Sequence, residues 1–206
     1  MGAVSGSGGR RPSAVMALCA AACLAMACVP SASLAETAVK LPVIFIPQVP
    51  PGNWEDTANC GPACLVMAAA YARREEPRAA KILKVDRFLG LDENGRPCTH
   101  CDQLVRAGKA VFGLTLKADP WSLAAVKKEI VAGGPVIVEL EAGCLSNRGY
   151  SYGGSHFVAA IGLDRGRIIC HDPMTPNGKA KAYAVGGFEA AMAGDTGLVV
   201  HGFRRR

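Results

Sequence analysis

Residues 59–71 read NCGPACLVMAAAY. Alanine, leucine and methionine are strong helix formers, and Pro62 falls where a first-turn proline is tolerated. The stretch predicts a helix that begins at or just before Cys60. A cysteine there meets the unpaired N–H groups and the positive end of the helix dipole, which favour a thiolate. A buried structural cysteine at a helix start is the plainer alternative, and position alone does not separate the two.

Upstream, residues 36–59 are extended and proline-rich. VIFI at 43–46 reads as a strand and PPGN at 50–53 as a turn. Downstream, helices are expected over 78–90 and near 102–112, with the polar loop DENGRPCTHC between them. Asp119-Pro120 predicts a further helix start, with Asp119 capping and Pro120 first in the helix. That helix runs through SLAAVKKEIVA and stops at Gly133-Gly134. The second half changes character. PVIVELEAG, HFVAAIGLD, GRIICHD, KAYAV and GLVVHGF read as strands at short spacing, and GGFEAAMAG as a short helix between the last two. Helices first and strands second imply one α+β domain, its N-terminal helical half packed on a C-terminal antiparallel sheet.

A thiol nucleophile needs a base within reach. The chain has four histidines: His100, His156, His171 and His201. His156 opens an apolar strand after the loop GYSYGGS, a placement that lets an imidazole face a cleft. His171 sits beside Asp172, but adjacent strand residues point to opposite faces. A carboxylate would hold the imidazole in one tautomer and stabilise its cation. Asp172 ends the strand GRIICHD, 16 residues after His156, on what reads as the second arm of a hairpin. Asp164 competes for the role, but the turn DRGR accounts for it.

The N-terminus carries a different signal. Arg10 and Arg11 precede the apolar run AVMALCAAACLAMACV at 14–29, and the small-residue exit PSASLA follows. That order marks residues 1–35 as a secretory signal peptide cleaved after Ala35. An uncleaved anchor and a lipid on Cys28 stay open as alternatives. Cleavage leaves a domain over 36–206, no stable membrane span, and a periplasmic or secreted location. Loss of the two arginines lowers the net charge from +6 to about +4. No basic stripe with interleaved aromatics is present, which argues against nucleic-acid binding.

The residues around Cys60, His156 and Asp172 carry a family likeness. NCGPACLVMAAAY at 59–71 resembles the nucleophile helix of the bacteriocin-processing, double-glycine cysteine peptidases and their stand-alone C39-like relatives. GSHFVAAIGLD at 154–164 resembles that family's histidine strand. IICHDP at 168–173, followed by Gly178, Tyr183 and Phe188-Glu189, resembles its aspartate strand and the segment after it. The similarity spans about residues 42–203. It implies a papain-like fold, Cys60 as nucleophile, His156 as base, Asp172 as orienting carboxylate and Gln48 as oxyanion donor beside the Cys60 N–H. Gln48 is the only glutamine before Cys60 but lies farther from it than in the transporter-linked members, so Asn59 and Asn53 are substitutes. The substrate is then a peptide or protein, and the chemistry calls for no cofactor or metal. Two other uses of the same residues stay open: acyl or amide transfer, and a peptide-binding module with an idle triad.

Beyond the signal segment lie Cys60, Cys64, Cys98, Cys101, Cys144 and Cys170. Export to an oxidising compartment predicts at least one disulfide among Cys98, Cys101, Cys144 and Cys170. Cys64, one turn after Cys60, is expected in the core.

Overall fold

The computed structural model describes residues 38–48, 56–120, 122–192 and 198–201. All fall in one compact unit, Ser33–Arg206. The expected signal peptide at 1–35, the PPGN turn and Asn53 lie outside the described residues.

The chain runs β1 (Val39–Lys40), α1 (Cys60–Arg73), α2 (Ala79–Leu89), α3 (Cys101–Phe112), β2 (Lys117–Pro120), α4 (Leu123–Val131) and β3 (Val136–Glu141). It continues through β4 (Ser155–Asp164), β5 (Arg167–His171), β6 (Lys181–Ala184), α5 (Val185–Met192) and β7 (Leu198–His201). Among the described residues the strands form one seven-stranded sheet in the order β2-β7-β3-β4-β5-β6, and every pairing is antiparallel. β4 is long enough for β3 and β1 to share one of its edges. Val136–Glu141 pairs with residues 155–160, and Val39–Lys40 takes over at Gly162 and Leu163.

Strand alternation divides the interior in two. Phe157, Ala159 and Ile161 of β4 face α1, α2 and α3, in a core that includes Leu65, Ile82 and Leu104. Val158 and Ala160 face the other way, onto Val126 and Ile130 of α4 and Phe188 of α5. Helix α1 is buried from Cys60 to Tyr71. A helix so enclosed needs small or apolar residues on all sides, which its alanines supply. The architecture is thus the expected α+β arrangement of helices against an antiparallel sheet.

Two local expectations fail. Asp119-Pro120 does not start a helix: both residues belong to β2, paired with Val199 and Leu198. A residue before proline is pushed toward extended backbone, and β2 ends the strand order, an edge position where proline is tolerated. The helix start is Ser122, whose Oγ accepts from the Ala125 N–H at 3.2 Å. VIFI at 43–46 pairs in no ladder; the regular strand is Val39–Lys40. Pro42 and Pro47 bracket the segment and remove donors. Within it Val43 N–H donates to Leu41 O at 2.8 Å and Val43 O accepts from His171 Nε2 at 2.8 Å, and the flanking residues are held by Leu41 N–H to Ile161 O at 2.8 Å and Gln48 N–H to Pro173 O at 2.9 Å.

Candidate active site

Cys60 is the first residue of α1, and the side chain of Asn59 before it makes no cap bond. Asn59 Nδ2 donates instead to Asp86 Oδ2 of α2, 2.8 Å away. First-turn N–H groups have no partner within the helix, so this end of α1 keeps its donors for something beside Cys60. Burial pushes the Asp86 carboxyl up to about 6, against the Asn59 hydrogen bond. Asn59, a substitute for Gln48 in the sequence reading, is thus engaged in joining α1 to α2.

His156 is the second residue of β4 and is fully buried. Its Nε2 lies 2.9 Å from Asp172 Oδ1. Nδ1 makes no close hydrogen bond, and the Cys60 thiol is near enough to stabilise the ring's cation. Burial alone would lower the His156 pKa. Asp172 outweighs it, by charge and by hydrogen bond, and Cys60 adds to the effect, so the pKa is raised above the ordinary histidine value.

Asp172 follows β5 directly and is fully buried. Burial raises its carboxyl, but the charge and hydrogen bond of His156, with the Tyr183 hydroxyl and Lys181, bring it below the usual range. Oδ1 also accepts from the Met174 N–H at 3.2 Å. Oδ2 accepts from Tyr183 Oη at 2.5 Å and Tyr150 Oη at 3.2 Å. Burial and the Asp172 charge raise both phenols, so they remain donors. The Tyr150 ring stands edge-on to His156, centroids 5.7 Å apart at 72°. The loop that holds Asp172 doubles back tightly, with the Asp172 N–H on Gly178 O at 2.9 Å. A Cβ at Gly178 would sit 1.7 Å from Asp172 O, so only glycine fits.

The neighbouring candidates are employed elsewhere. His171 Nδ1 accepts from the Ala180 N–H at 3.0 Å, which leaves Nε2 to donate to Val43 O at 2.8 Å. Both nitrogens are spent on backbone, and burial lowers the pKa. His100 is the N-cap of α3. Cys64 is fully buried, contacts Phe157 O at 3.5 Å, and is pushed far up chiefly by burial. Asp164 precedes a turn in which Arg165 and Gly166 both have positive φ. Gln48 is fully buried; its Nε2 lies 3.2 Å from Thr57 O and 2.5 Å from Thr57 Oγ1, three residues before Cys60.

Cys60 opens on a cleft of about 360 Å³ whose walls include Thr57, Cys98, Tyr152, Ser155, Phe157 and Met174. The disulfide expected among the later cysteines is not formed: none of the six is bridged. Cys98 and Cys144 are exposed, whereas Cys101 and Cys170 are enclosed in the interior. Sequence reasoning missed the roles of Tyr150 and Tyr183. The available signal was that a buried tyrosine hydroxyl needs a partner, and Asp172 is the anion nearby.

No curated protein sequence matches the chain. Among solved structures it is similar to a C39-like peptidase from Bacillus anthracis, with TM-score 0.61 and 18% identity over 82% of this chain and 99% of that one. It is also similar to the peptidase domain of Streptococcus ComA, a bifunctional ABC transporter of a quorum-sensing pathway, with TM-score 0.54, 18% identity, and 78% and 98% covered. A third is a double-glycine-motif protease from an AMS/PCAT transporter, solved with its leader peptide, with TM-score 0.53, 18% identity, and 82% and 98% covered. At that identity these likenesses establish the fold. The sequence profile of the Peptidase_C39-like family, however, matches residues 46–194, most of the chain. The chain belongs to the Peptidase_C39-like family and is a cysteine-type peptidase.

Proposed function

We propose that the protein is an exported peptidase that cleaves peptide bonds through a thioester on Cys60. The observation that carries this reading is the placement of His156. One nitrogen is held by a buried Asp172, and the ring adjoins a cysteine that opens on a cleft. The Cys60 thiolate attacks the scissile carbonyl, and the tetrahedral oxyanion is met by the Cys60 N–H and by the Gln48 amide, which gives up one of its two Thr57 bonds to do so. Collapse expels the amine, which takes its proton from His156. Water then attacks the thioester, gives one proton to His156, and releases the acid and the Cys60 thiolate. Asp172 keeps the imidazole oriented and its cation stable throughout.

The substrate is a peptide, and the leader peptide bound by the transporter protease motivates a Gly-Gly sequence as the first one to try. Digestion of a peptide library containing Gly-Gly members, read by mass spectrometry, tests the reading. Wild type should produce defined cleavages that vanish with Cys60→Ala. Gln48→Ala should cut kcat about a hundredfold while Cys60 keeps its alkylation rate. Cleavage that survives Cys60→Ala would refute the assignment.

A further inference from the structure

Strand β3 carries an anomaly. Val136, Ile137, Val138 and Leu140 are fully buried and apolar, yet Glu139 among them is only 3% exposed. A buried carboxylate costs stability that an apolar residue at the same place would not, so its retention calls for a reason. Both of its oxygens are occupied. Oε2 accepts from Cys101 Sγ at 3.3 Å, and Oε1 accepts from Ser155 Oγ at 2.8 Å. Burial and the Glu139 charge hold the Cys101 thiol protonated, as that bond requires.

Ser155 is the other end of this chain of bonds. It is exposed, lines the cleft with Cys60, and immediately precedes His156. A serine hydroxyl has one hydrogen and two lone pairs. With its hydrogen committed to Glu139, Ser155 Oγ can only accept from whatever enters the cleft. The catalytic constellation makes no use of this group.

We propose that Ser155 is a specificity residue that accepts a main-chain N–H of the bound peptide next to the scissile bond. Glu139 is the positioning residue that fixes its hydroxyl as an acceptor. The inference rests on the reading of this cleft as the peptide site. A substrate with an N–H at that position gains a hydrogen bond. One with an N-substituted residue loses it and leaves the lone pair of Ser155 unmet.

The test uses a covalent probe, so it does not depend on turnover. Acetyl-glycylglycyl chloromethyl ketone alkylates Cys60, and two analogues carry N-methylglycine at one position or the other. Second-order alkylation rates are compared with those for iodoacetamide on wild type, Ser155→Ala, Ser155→Thr and Glu139→Gln. Ser155→Ala should slow the peptidyl probe about tenfold, the worth of one hydrogen bond. It should leave the iodoacetamide rate unchanged, and Ser155→Thr should restore the peptidyl rate. One N-methyl analogue should lose about tenfold on wild type and much less on Ser155→Ala. Glu139→Gln should fall between wild type and Ser155→Ala; if it does not fold, the serine variants decide alone. The proposal is overturned if Ser155→Ala matches wild type with every probe, if neither N-methyl penalty shrinks in it, or if wild type shows no preference for the peptidyl probe. Failure of the peptidase reading would look different: an iodoacetamide rate at Cys60 indifferent to His156.

Discussion

At the scale of single residues, His156 and Asp172 hold each other in their charged forms. The His156 pKa is raised, so its contribution to stability is full below the ordinary value near 6.5 and is lost as pH climbs through the raised value. The Asp172 pKa is lowered, so its contribution is full above the ordinary value near 3.9 and is lost as pH falls through the lowered one. The pair is fully effective between those two ordinary values. Because the amine leaves with a proton from His156, the alkaline limb of kcat should lie well above pH 6.5. Asp172→Asn should move that limb toward lower pH and cost at least about tenfold in kcat at pH 8. A limb that stays in place would show that Asp172 does not hold the His156 proton. Tyr183→Phe removes a donor to a buried anion and should cost about 1.5–3 kcal/mol in urea unfolding. That His156 rather than His171 meets Asp172 was legible in the sequence, because strand alternation sends His171 away from Asp172. The tyrosines were not, because their shared partner is set by how a loop and a third strand close over Asp172.

Among the elements, the β4–β5 hairpin and the loop to β6 do most to form the site. Ala159 pairs with His171, which brings the Ser155 end of β4 alongside the end of β5, where Asp172 follows. The turn from 172 to 178 then folds back on itself at Gly178. Gly178→Ala forces a methyl group into the Asp172 carbonyl and should lower stability by about 2 kcal/mol or more. It should also reduce the Cys60 alkylation rate under conditions where the variant remains folded. Loss of stability with unchanged alkylation would separate this loop from the catalytic geometry. Helices α1 to α3 and strands β3 to β7 were readable because composition, period and glycine breaks agree there. Asp119-Pro120 misled because the same pair suits a helix start and an extended edge strand, and only pairing with β7 decides between them. VIFI misled because its residues have strand propensity, whereas the flanking prolines and the His171 contact govern its backbone.

For the whole molecule, the sheet presents one face to α1–α3 and the other to α4 and α5, with the thiol from the first core and the imidazole from the row of Val158 and Ala160. The general α+β plan follows from helices preceding strands, but this meeting of the two sides depends on long-range strand pairing that no local pattern records. No helix among the described residues is long and apolar enough to cross a membrane. Export is argued from residues 10–35 alone, and N-terminal sequencing of the protein recovered outside the cytoplasm should begin at or near Glu36. An intact Met1 on cytosolic protein would contradict it. The central claim is that His156 activates Cys60, and it is tested most directly by the rate of iodoacetamide labelling at neutral pH, with the labelled cysteine identified by mass spectrometry. The account predicts rapid labelling at Cys60 that falls about tenfold or more in His156→Ala and is unchanged in His171→Ala. Labelling indifferent to His156, or slowed by loss of His171 instead, would contradict it.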